Sequence, residues 1–176
     1  MDVQPDDAAN DALVRRMIEA SELHGDFVLS SGKRSSVYFD KFRFLTRPDL
    51  LEEVAAAVVR LLPEGTEQLA APEGAAMLLV AAVSLRTGLP VAVVRKEPKP
   101  YGTQEQIEGH APAGARAALL EDVSTTGHQV LAAAKVLEAA GVLVTRIVLA
   151  IDRGGADHLR EAGYDVAAVA VLRPTA

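Results

Sequence analysis

The stretch Ala118-Leu-Leu-Glu-Asp-Val-Ser-Thr-Thr-Gly-His-Gln129 joins an apolar run to two adjacent carboxylates and a turn rich in hydroxyl groups. The apolar residues before Glu121 predict a buried strand, and the residues from Gly127 onward predict a helix. At such a junction, the backbone N–H groups of the turn and the positive end of the helix dipole face the same point. The stretch therefore predicts an anion-binding site at the carboxyl end of a parallel strand.

Strand and helix patterns alternate through the rest of the chain. Short apolar runs predict strands at 69–71, 91–94, 115–120, 144–151 and 166–172. Apolar residues at helical spacing predict helices at 48–62, 75–87, 127–140 and 156–162. Strands that alternate with short helices predict an α/β fold with a doubly wound, mainly parallel central sheet flanked by helices.

The N-terminal part follows a different pattern. A helix is predicted at 8–24, and two strand-like runs at 27–29 and 37–39 follow it, joined by a turn-rich segment. We interpret the two runs as a small hairpin or hood. We expect a single domain of 176 residues, with the helix and hood at about 8–45 and the core at about 46–176.

Composition and charge exclude several classes of protein. The chain has no cysteine, which rules out disulfides, thiolate nucleophiles and cysteine-based metal sites. Its formal net charge is -6 and it has no long basic run, which argues against nucleic-acid binding. The longest apolar run, around 75–83, is too short to span a membrane, and the acidic N-terminus lacks the pattern of a signal peptide. We therefore expect a cytoplasmic protein with no membrane or nucleic-acid partner.

The acidic pair allows two interpretations. Glu121 and Asp122 could end a strand and cap a helix, which is the commoner role of a lone acidic pair. Alternatively, the two carboxylates could bind ribose hydroxyls while the hydroxyl groups of 124–126 bind a phosphate. The complete string favours the second interpretation, because it resembles the phosphoribosyl diphosphate signature of type I phosphoribosyltransferases. Two other phosphate motifs, Gly-x-x-x-x-Gly-Lys-Ser/Thr and Gly-x-Gly-x-x-Gly, do not occur.

From about Gly25 to Leu172 the chain resembles orotate phosphoribosyltransferase. Besides the signature, the resemblance rests on segment 25–40, on Val94-Arg-Lys-Glu-Pro-Lys-Pro-Tyr-Gly-Thr103 with Ile107-Glu-Gly109, and on Ala150-Ile-Asp-Arg153. It implies transfer of the 5-phosphoribosyl group from phosphoribosyl diphosphate to orotate, in pyrimidine biosynthesis. It also implies a homodimer with shared active sites, in which the loop of one subunit serves the site of its partner.

The same resemblance implies roles for individual residues. Catalytic roles fall on Arg95, Lys99 and Asp122. Binding of phosphoribosyl diphosphate falls on Arg95, Lys96, Lys99, Tyr101, Glu121, Asp122, Val123, Ser124, Thr125, Thr126, Gly127, His128 and Gln129. Binding of orotate falls on Ser30, Tyr38, Phe39, Thr125 and Arg153, with the Arg153 guanidinium pairing with the orotate carboxylate.

The implied reaction explains why cations and a mobile segment are needed. Negative charge builds on the departing diphosphate, so the site needs cations there more than it needs a nucleophile. Residues 96–113 contain prolines, glycines and charges without apolar periodicity, and we interpret them as a long exposed loop that can close over the site. The implied cofactor is Mg²⁺, held mainly through the substrate rather than by protein ligands.

Two departures from the family pattern weaken the assignment of orotate as the base. Ala71-Pro-Glu-Gly-Ala-Ala-Met77 stands where the family usually has Gly-Gly-Ile-Pro, and Ser30 stands where some members have a lysine. Tyr101 stands where the family usually has histidine, but the family also tolerates tyrosine there. A paralogue that acts on another base is therefore an alternative. A regulator that binds phosphoribosyl diphosphate and RNA without catalysis is another, although a pI near 5.2 argues against RNA binding.

Overall fold

A computed structural model of the chain describes residues 7–28, 32, 34–99 and 105–172. Its helices are α1 (Asp7–Ser21), α2 (Phe42–Leu45), α3 (Pro48–Leu61), α4 (Ala76–Thr87), α5 (His128–Ala139) and α6 (Gly155–Glu161). Its strands are β1 (Glu22–Val28), β2 (Arg34–Phe39), β3 (Gln68–Pro72), β4 (Val91–Val94), β5 (Ile107–Gly109), β6 (Arg116–Ser124), β7 (Leu143–Asp152) and β8 (Val166–Val171). Among these helices, none is long and apolar enough to cross a membrane.

The central sheet has the strand order β5-β4-β3-β6-β7-β8. Strand β5 pairs antiparallel with β4, and the other neighbouring strands pair in parallel. From β3 the chain moves outward to β4, and from β6 it moves in the opposite direction to β7 and β8. The direction of winding therefore changes between β3 and β6, and open α/β sheets bind ligands at the carboxyl ends of strands at such a point.

Helices cover both faces of this sheet. On one face, α1 to α4 pack against alternate strand residues such as Ala118 and Leu120. On the other face, α5 and α6 pack against Ala117 and Leu119. Because β6 is covered on both sides, its residues form an almost continuous apolar run, as expected for a central parallel strand. The structure confirms the predicted doubly wound, mainly parallel α/β fold.

Several predicted boundaries are wrong. Helix α1 ends at Ser21 rather than at residue 24, because 22–24 form the start of β1 and Glu22 pairs with Phe39 of β2. The segment predicted as a single loop at 96–113 contains strand β5, which adds an antiparallel edge to the sheet. The hood is present as the antiparallel β1–β2 hairpin. The short helix α2, which follows the hood, was not predicted; its Phe44 and Leu45 are buried in the core.

Candidate active site

Strand β6 carries the acidic pair deeper into the fold than the sequence predicts. The predicted strand ends at Leu120, but β6 continues through both carboxylates to Ser124, which pairs with Asp152 of β7. Both Glu121 and Asp122 are therefore buried among the central strands. Their position within a strand excludes the simple capping role that the sequence left open.

An open cavity of about 180 Å³ lies beside the acidic pair, and we call it the carboxylate cavity. It is lined by Lys41, Glu121, Val123, Ser124, Thr125, Thr126, Gly127, Gln129 and Val130. The turn that borders it leads into α5 at Gly127, whose φ is +77°. A Cβ there would lie 2.7 Å from the backbone oxygen of Gly155, so only glycine fits. The close contact with the start of α6 fixes the turn that faces the cavity.

The two carboxylates have different surroundings. Burial, together with the hydrogen bond and the charge of Asp122, raises the pKa of Glu121 to about 8. This shift favours the protonated form of Glu121. Asp122 accepts hydrogen bonds at Oδ1 from the backbone N–H of Val123, at 2.6 Å, and from Nζ of Lys41, at 3.0 Å. Lys41 Nζ also lies 3.0 Å from Oδ2, but that oxygen has no aligned hydrogen-bond donor in the described part of the chain.

The next strand, β7, ends in a second group of functional residues. Asp152 is buried, and its Oδ1 accepts hydrogen bonds from the backbone N–H groups of Gly154, at 2.9 Å, and Ala156, at 3.0 Å. The N–H of Arg153 donates to the backbone oxygen of Ser124, at 2.8 Å. These bonds tie the end of β7 to the turn after β6. Arg153 is consequently held next to the carboxylate cavity.

Arg153 also joins the site to the hood. Its guanidinium carbon lies 5.4 Å from the centre of the Phe39 ring, a distance typical of cation–π contact. Tyr38 points to the other side of β2, where its ring centroid lies 5.5 Å from that of Phe27. The structure thus brings together Arg153 and Phe39 among the predicted orotate-binding residues, whereas Tyr38 contacts another part of the hood. Ser30 and Tyr101 lie outside the described residues.

The predicted cations lie on the segment between β4 and β5, which we call the edge loop and which is described at 95–99 and 105–106. Its base is held by the Glu73 carboxylate, which accepts a hydrogen bond from the backbone N–H of Lys96 at 2.9 Å. Lys99 forms a salt bridge with Glu108 of β5, and Nη1 of Arg95 lies 3.8 Å from the same carboxylate. Lys99 is therefore paired with an acidic residue of its own subunit in this structure.

The base of the edge loop lies close to the carboxylate cavity. A neighbouring cavity of about 270 Å³ is lined by Arg95 and Lys96 together with Gln106 and Gln129. Since Gln129 lines both cavities, the predicted cations and the predicted phosphate turn border adjoining space. His128 faces away toward His158, with the two ring centroids 4.9 Å apart. The described residues contain no group of three or more His, Cys, Asp or Glu side chains that could hold a metal ion.

Three residues of this site were missed by sequence reasoning. Lys41 and Asp122 are 81 positions apart, and no local pattern signals their contact. Glu108 lies in a segment without apolar periodicity, so the strand that positions it gave no signal. Asp152 could have been found, because an acidic residue that ends a buried strand before Gly154 and Gly155 is typical of a side chain that caps the following turn.

Comparison with known proteins adds an independent line of evidence. No family model matches the chain. The chain is 43% identical over 162 residues to an orotate phosphoribosyltransferase of Thermococcus gammatolerans, covering 89% of this chain and 86% of that protein. The solved orotate phosphoribosyltransferase of Aeropyrum pernix is 31% identical, with a TM-score of 0.77 and 93% of each chain covered. The Mycobacterium tuberculosis H37Rv enzyme, solved with Fe(III) dicitrate, is 26% identical, with a TM-score of 0.83 and 93% and 97% covered.

Proposed function

Since the chain belongs to the orotate phosphoribosyltransferase family, we propose that it transfers the 5-phosphoribosyl group from phosphoribosyl diphosphate to orotate. The products are orotidine 5'-monophosphate and diphosphate, which places the reaction in pyrimidine biosynthesis. One observation carries the proposal: the carboxylate cavity adjoins the space at the cationic base of the edge loop, and its lining residue Ser124 is hydrogen-bonded to the backbone of Arg153, which contacts the hood. A phosphorylated sugar, an anionic base and a departing diphosphate need these three surroundings.

The sugar phosphate would occupy the carboxylate cavity. The residues Ser124, Thr125 and Thr126 border this space just before α5, where the helix dipole favours a phosphate. Asp122 offers an acceptor for a ribose hydroxyl. Glu121 lines the same cavity and offers its carboxyl group to a second ribose hydroxyl. We assign the ribose hydroxyls to this pair and the 5'-phosphate to the turn.

Orotate would lie between the hood and the end of β7. Its carboxylate matches the planar guanidinium of Arg153, and the contact with Phe39 holds that guanidinium in place. Thr125, which lines the carboxylate cavity, and Ser30 are also assigned to orotate, whereas the contact of Tyr38 with Phe27 directs its ring away from this place. A purine base has no carboxylate for Arg153, so the same pocket favours orotate over purines.

The leaving diphosphate would meet Arg95, Lys96 and Lys99. Their charges favour the transition state, in which negative charge has grown on the diphosphate. We also propose Mg²⁺ as the cofactor, held mainly by oxygen atoms of the substrate, a mode of binding typical of this cation. When bound, the ion neutralises diphosphate charge. Closure of the edge loop would exclude water from the reactive sugar.

Assembly and location complete the proposal. We propose that the chain is a single domain and forms a cytoplasmic homodimer with shared active sites, in which Lys99 of one subunit reaches the site that contains Asp122 of the other. The salt bridge between Lys99 and Glu108 supports this, since it keeps Lys99 at the sheet edge rather than over the carboxylate cavity of its own subunit.

A base panel tests the proposed activity. Purified protein with Mg²⁺ and phosphoribosyl diphosphate should convert orotate to orotidine 5'-monophosphate. The change in ultraviolet absorbance measures this conversion. It should show little turnover of adenine, guanine or hypoxanthine. Turnover of a purine without turnover of orotate would favour the alternative, a paralogue that acts on another base. The observation that favours this alternative is segment 71–77, which departs from the family pattern.

A further inference from the structure

Lys41 follows strand β2 of the hood, and we call residues 39–41 the hood segment. The Lys41 side chain contacts Asp122 of the buried acidic pair. Its Nζ lies 3.0 Å from both carboxylate oxygens of Asp122. The Asp122 side chain is 0% exposed, whereas that of Lys41 is 39% exposed, so the ammonium stands between the interior and the mouth of the carboxylate cavity. Among the described residues, no other cation forms a salt bridge with Asp122.

The backbone around Lys41 is fixed at several points. The N–H of Asp40 donates to the backbone oxygen of Ser21 at 2.9 Å, and Asp40 Oδ1 accepts from the N–H of Phe42 at 3.1 Å. After Lys41, helix α2 is anchored in the core by Phe44 and Leu45, both 0% exposed. The ammonium is therefore presented from a rigid segment, which is what precise placement of a partner carboxylate requires.

The same segment contacts the site at a second place. Phe39, two residues before Lys41, holds the Arg153 guanidinium. The hood segment thus touches the proposed base-binding arginine with one residue and the proposed ribose-binding carboxylate with another. A shift of the hood would disturb both contacts together.

We propose that Lys41 is a positioning residue that fixes the Asp122 carboxylate for the ribose hydroxyls and so links the hood to the sugar-phosphate site. This inference rests on the function proposed above. Asp122 Oδ1 accepts hydrogen bonds from Nζ of Lys41 and from the N–H of Val123, while the buried Oδ2 has no aligned donor among the described residues and lies 3.0 Å from the same Nζ. Loss of Lys41 removes the counter-charge of this buried carboxylate and one of the two donors to its Oδ1.

The test compares Lys41→Met with Lys41→Arg, which keeps the cation, and with Arg43→Met, which removes an exposed cation two residues away. Binding of phosphoribosyl diphosphate with Mg²⁺ is measured by isothermal titration calorimetry. Lys41→Met should weaken it about ten- to a hundredfold, the equivalent of one charge-assisted hydrogen bond. Lys41→Arg should restore most of the affinity, and Arg43→Met should not change it. In turnover assays, KM for phosphoribosyl diphosphate should rise while KM for orotate stays constant.

A second comparison decides whether Lys41 acts through Asp122. In an Asp122→Asn background, adding Lys41→Met should have no further effect on binding, because the partner carboxylate is already gone. A further loss of affinity in that background would overturn the positioning role and indicate direct contact with the substrate. This pair of variants also removes both charges, so it stays informative if Lys41→Met alone does not fold.

Failure of this inference can be told apart from failure of the proposed function. Urea unfolding shows whether the Lys41→Met protein is folded. If it is folded and its affinity for phosphoribosyl diphosphate is unchanged, Lys41 has only a structural role. Wild-type protein that binds phosphoribosyl diphosphate but does not turn over orotate would contradict the base assignment and leave the Lys41 comparison intact. Wild-type protein that does not bind phosphoribosyl diphosphate would overturn both.

Discussion

The carboxylate cavity and the edge loop carry the two halves of the proposed site, and they are built in opposite ways. The cavity lies at the end of a central strand, its acidic pair is buried, and glycine contacts with α6 fix its turn. The edge loop joins β4 and β5 at one edge of the sheet, and two of its cations, Arg95 and Lys99, face the Glu108 carboxylate. Folding thus assembles the carboxylate cavity. In the edge loop, by contrast, Lys99 must leave the Glu108 carboxylate before it can bind the diphosphate.

This difference suggests a division of labour. A rigid cavity defines where the reacting sugar carbon lies, which lowers the entropic cost of reaching the transition state. A loop that exchanges partners can admit the substrate and release diphosphate, steps that limit turnover in many enzymes. Variants of the cavity should therefore change folding, absolute activity or the binding of phosphoribosyl diphosphate, while variants of the loop partner should change apparent affinity alone.

The largest expected effect tests whether the two halves belong to different subunits. Lys99→Ala and Asp122→Ala should each be nearly inactive as pure proteins. After mixing and subunit exchange, half of the dimers become hybrids, and each hybrid has one site with both residues intact and one site with neither. Activity in the base assay should therefore recover to about a quarter of the wild-type value.

Two controls make the mixing result decisive. Each variant mixed with itself should stay inactive, and exchange between subunits should be followed with a fluorescent label. If the edge loop served its own subunit, every site of every hybrid would still lack one residue. Demonstrated exchange without recovery would therefore contradict the shared site.

Protonation of Glu121 gives the next largest effect. The folded protein keeps this proton up to about pH 8, whereas an unfolded carboxyl with a pKa of 4.5 loses it earlier. Unfolding therefore releases a proton between these values, and stability falls as pH rises from about 4.5 to about 8. Relative to Glu121→Gln, the wild-type protein should lose on the order of a few kcal/mol over this range in urea unfolding. The exposed substitution Glu64→Gln is the control, and equal pH profiles for wild type and Glu121→Gln would contradict the buried, protonated state.

Packing of the phosphate turn predicts a smaller effect on stability. Gly127→Ala forces a left-handed residue and a clash with the Gly155 oxygen, so it should destabilise the fold by more than the roughly 1–2 kcal/mol of the backbone conformation alone. Gly163→Ala is the matched control for the backbone conformation alone. Gly163 also has a left-handed φ, of +94°, but no atom lies within 4 Å of an added Cβ. Unfolding in urea should separate the two variants. Equal stability losses would show that the contact with α6 does not fix the turn.

A structural element of this protein is predictable from the sequence when the interactions that form it are between residues close together in the chain. The strand at 144–151 and the helix at 127–140 are predictable because their apolar periodicity is local, and both are present as β7 and α5. The resemblance to the family, which the relatives confirm, was also visible in the sequence, because it rests on continuous segments of the chain. The start of β1, by contrast, is polar and becomes a strand only by pairing with Phe39.

Charge pairs across the site were beyond sequence reasoning. Lys41 meets Asp122 because the chain after the hood lies against the core, and Lys99 meets Glu108 because the edge loop returns the chain as β5 beside β4. The extension of β6 past Leu120 has a similar origin. Carboxylates rarely occur in buried strands, and here the pairing with β7 and the protonation of Glu121 allow them.

The smallest expected effect concerns Glu108 itself. If this carboxylate competes with diphosphate for Lys99, then Glu108→Gln removes the competitor and should lower KM for phosphoribosyl diphosphate. The pair is partly exposed, so its strength is at most about 1 kcal/mol and the change about two- to fivefold. Glu105→Gln removes an equal charge from the same loop and keeps the salt bridge, so its KM should match that of the wild type. The competition should also weaken in high salt, which screens exposed pairs, so the two variants should converge as ionic strength rises. A raised KM in Glu108→Gln would instead mean that Glu108 holds Lys99 ready for the substrate, and the edge loop would then be as preformed as the carboxylate cavity.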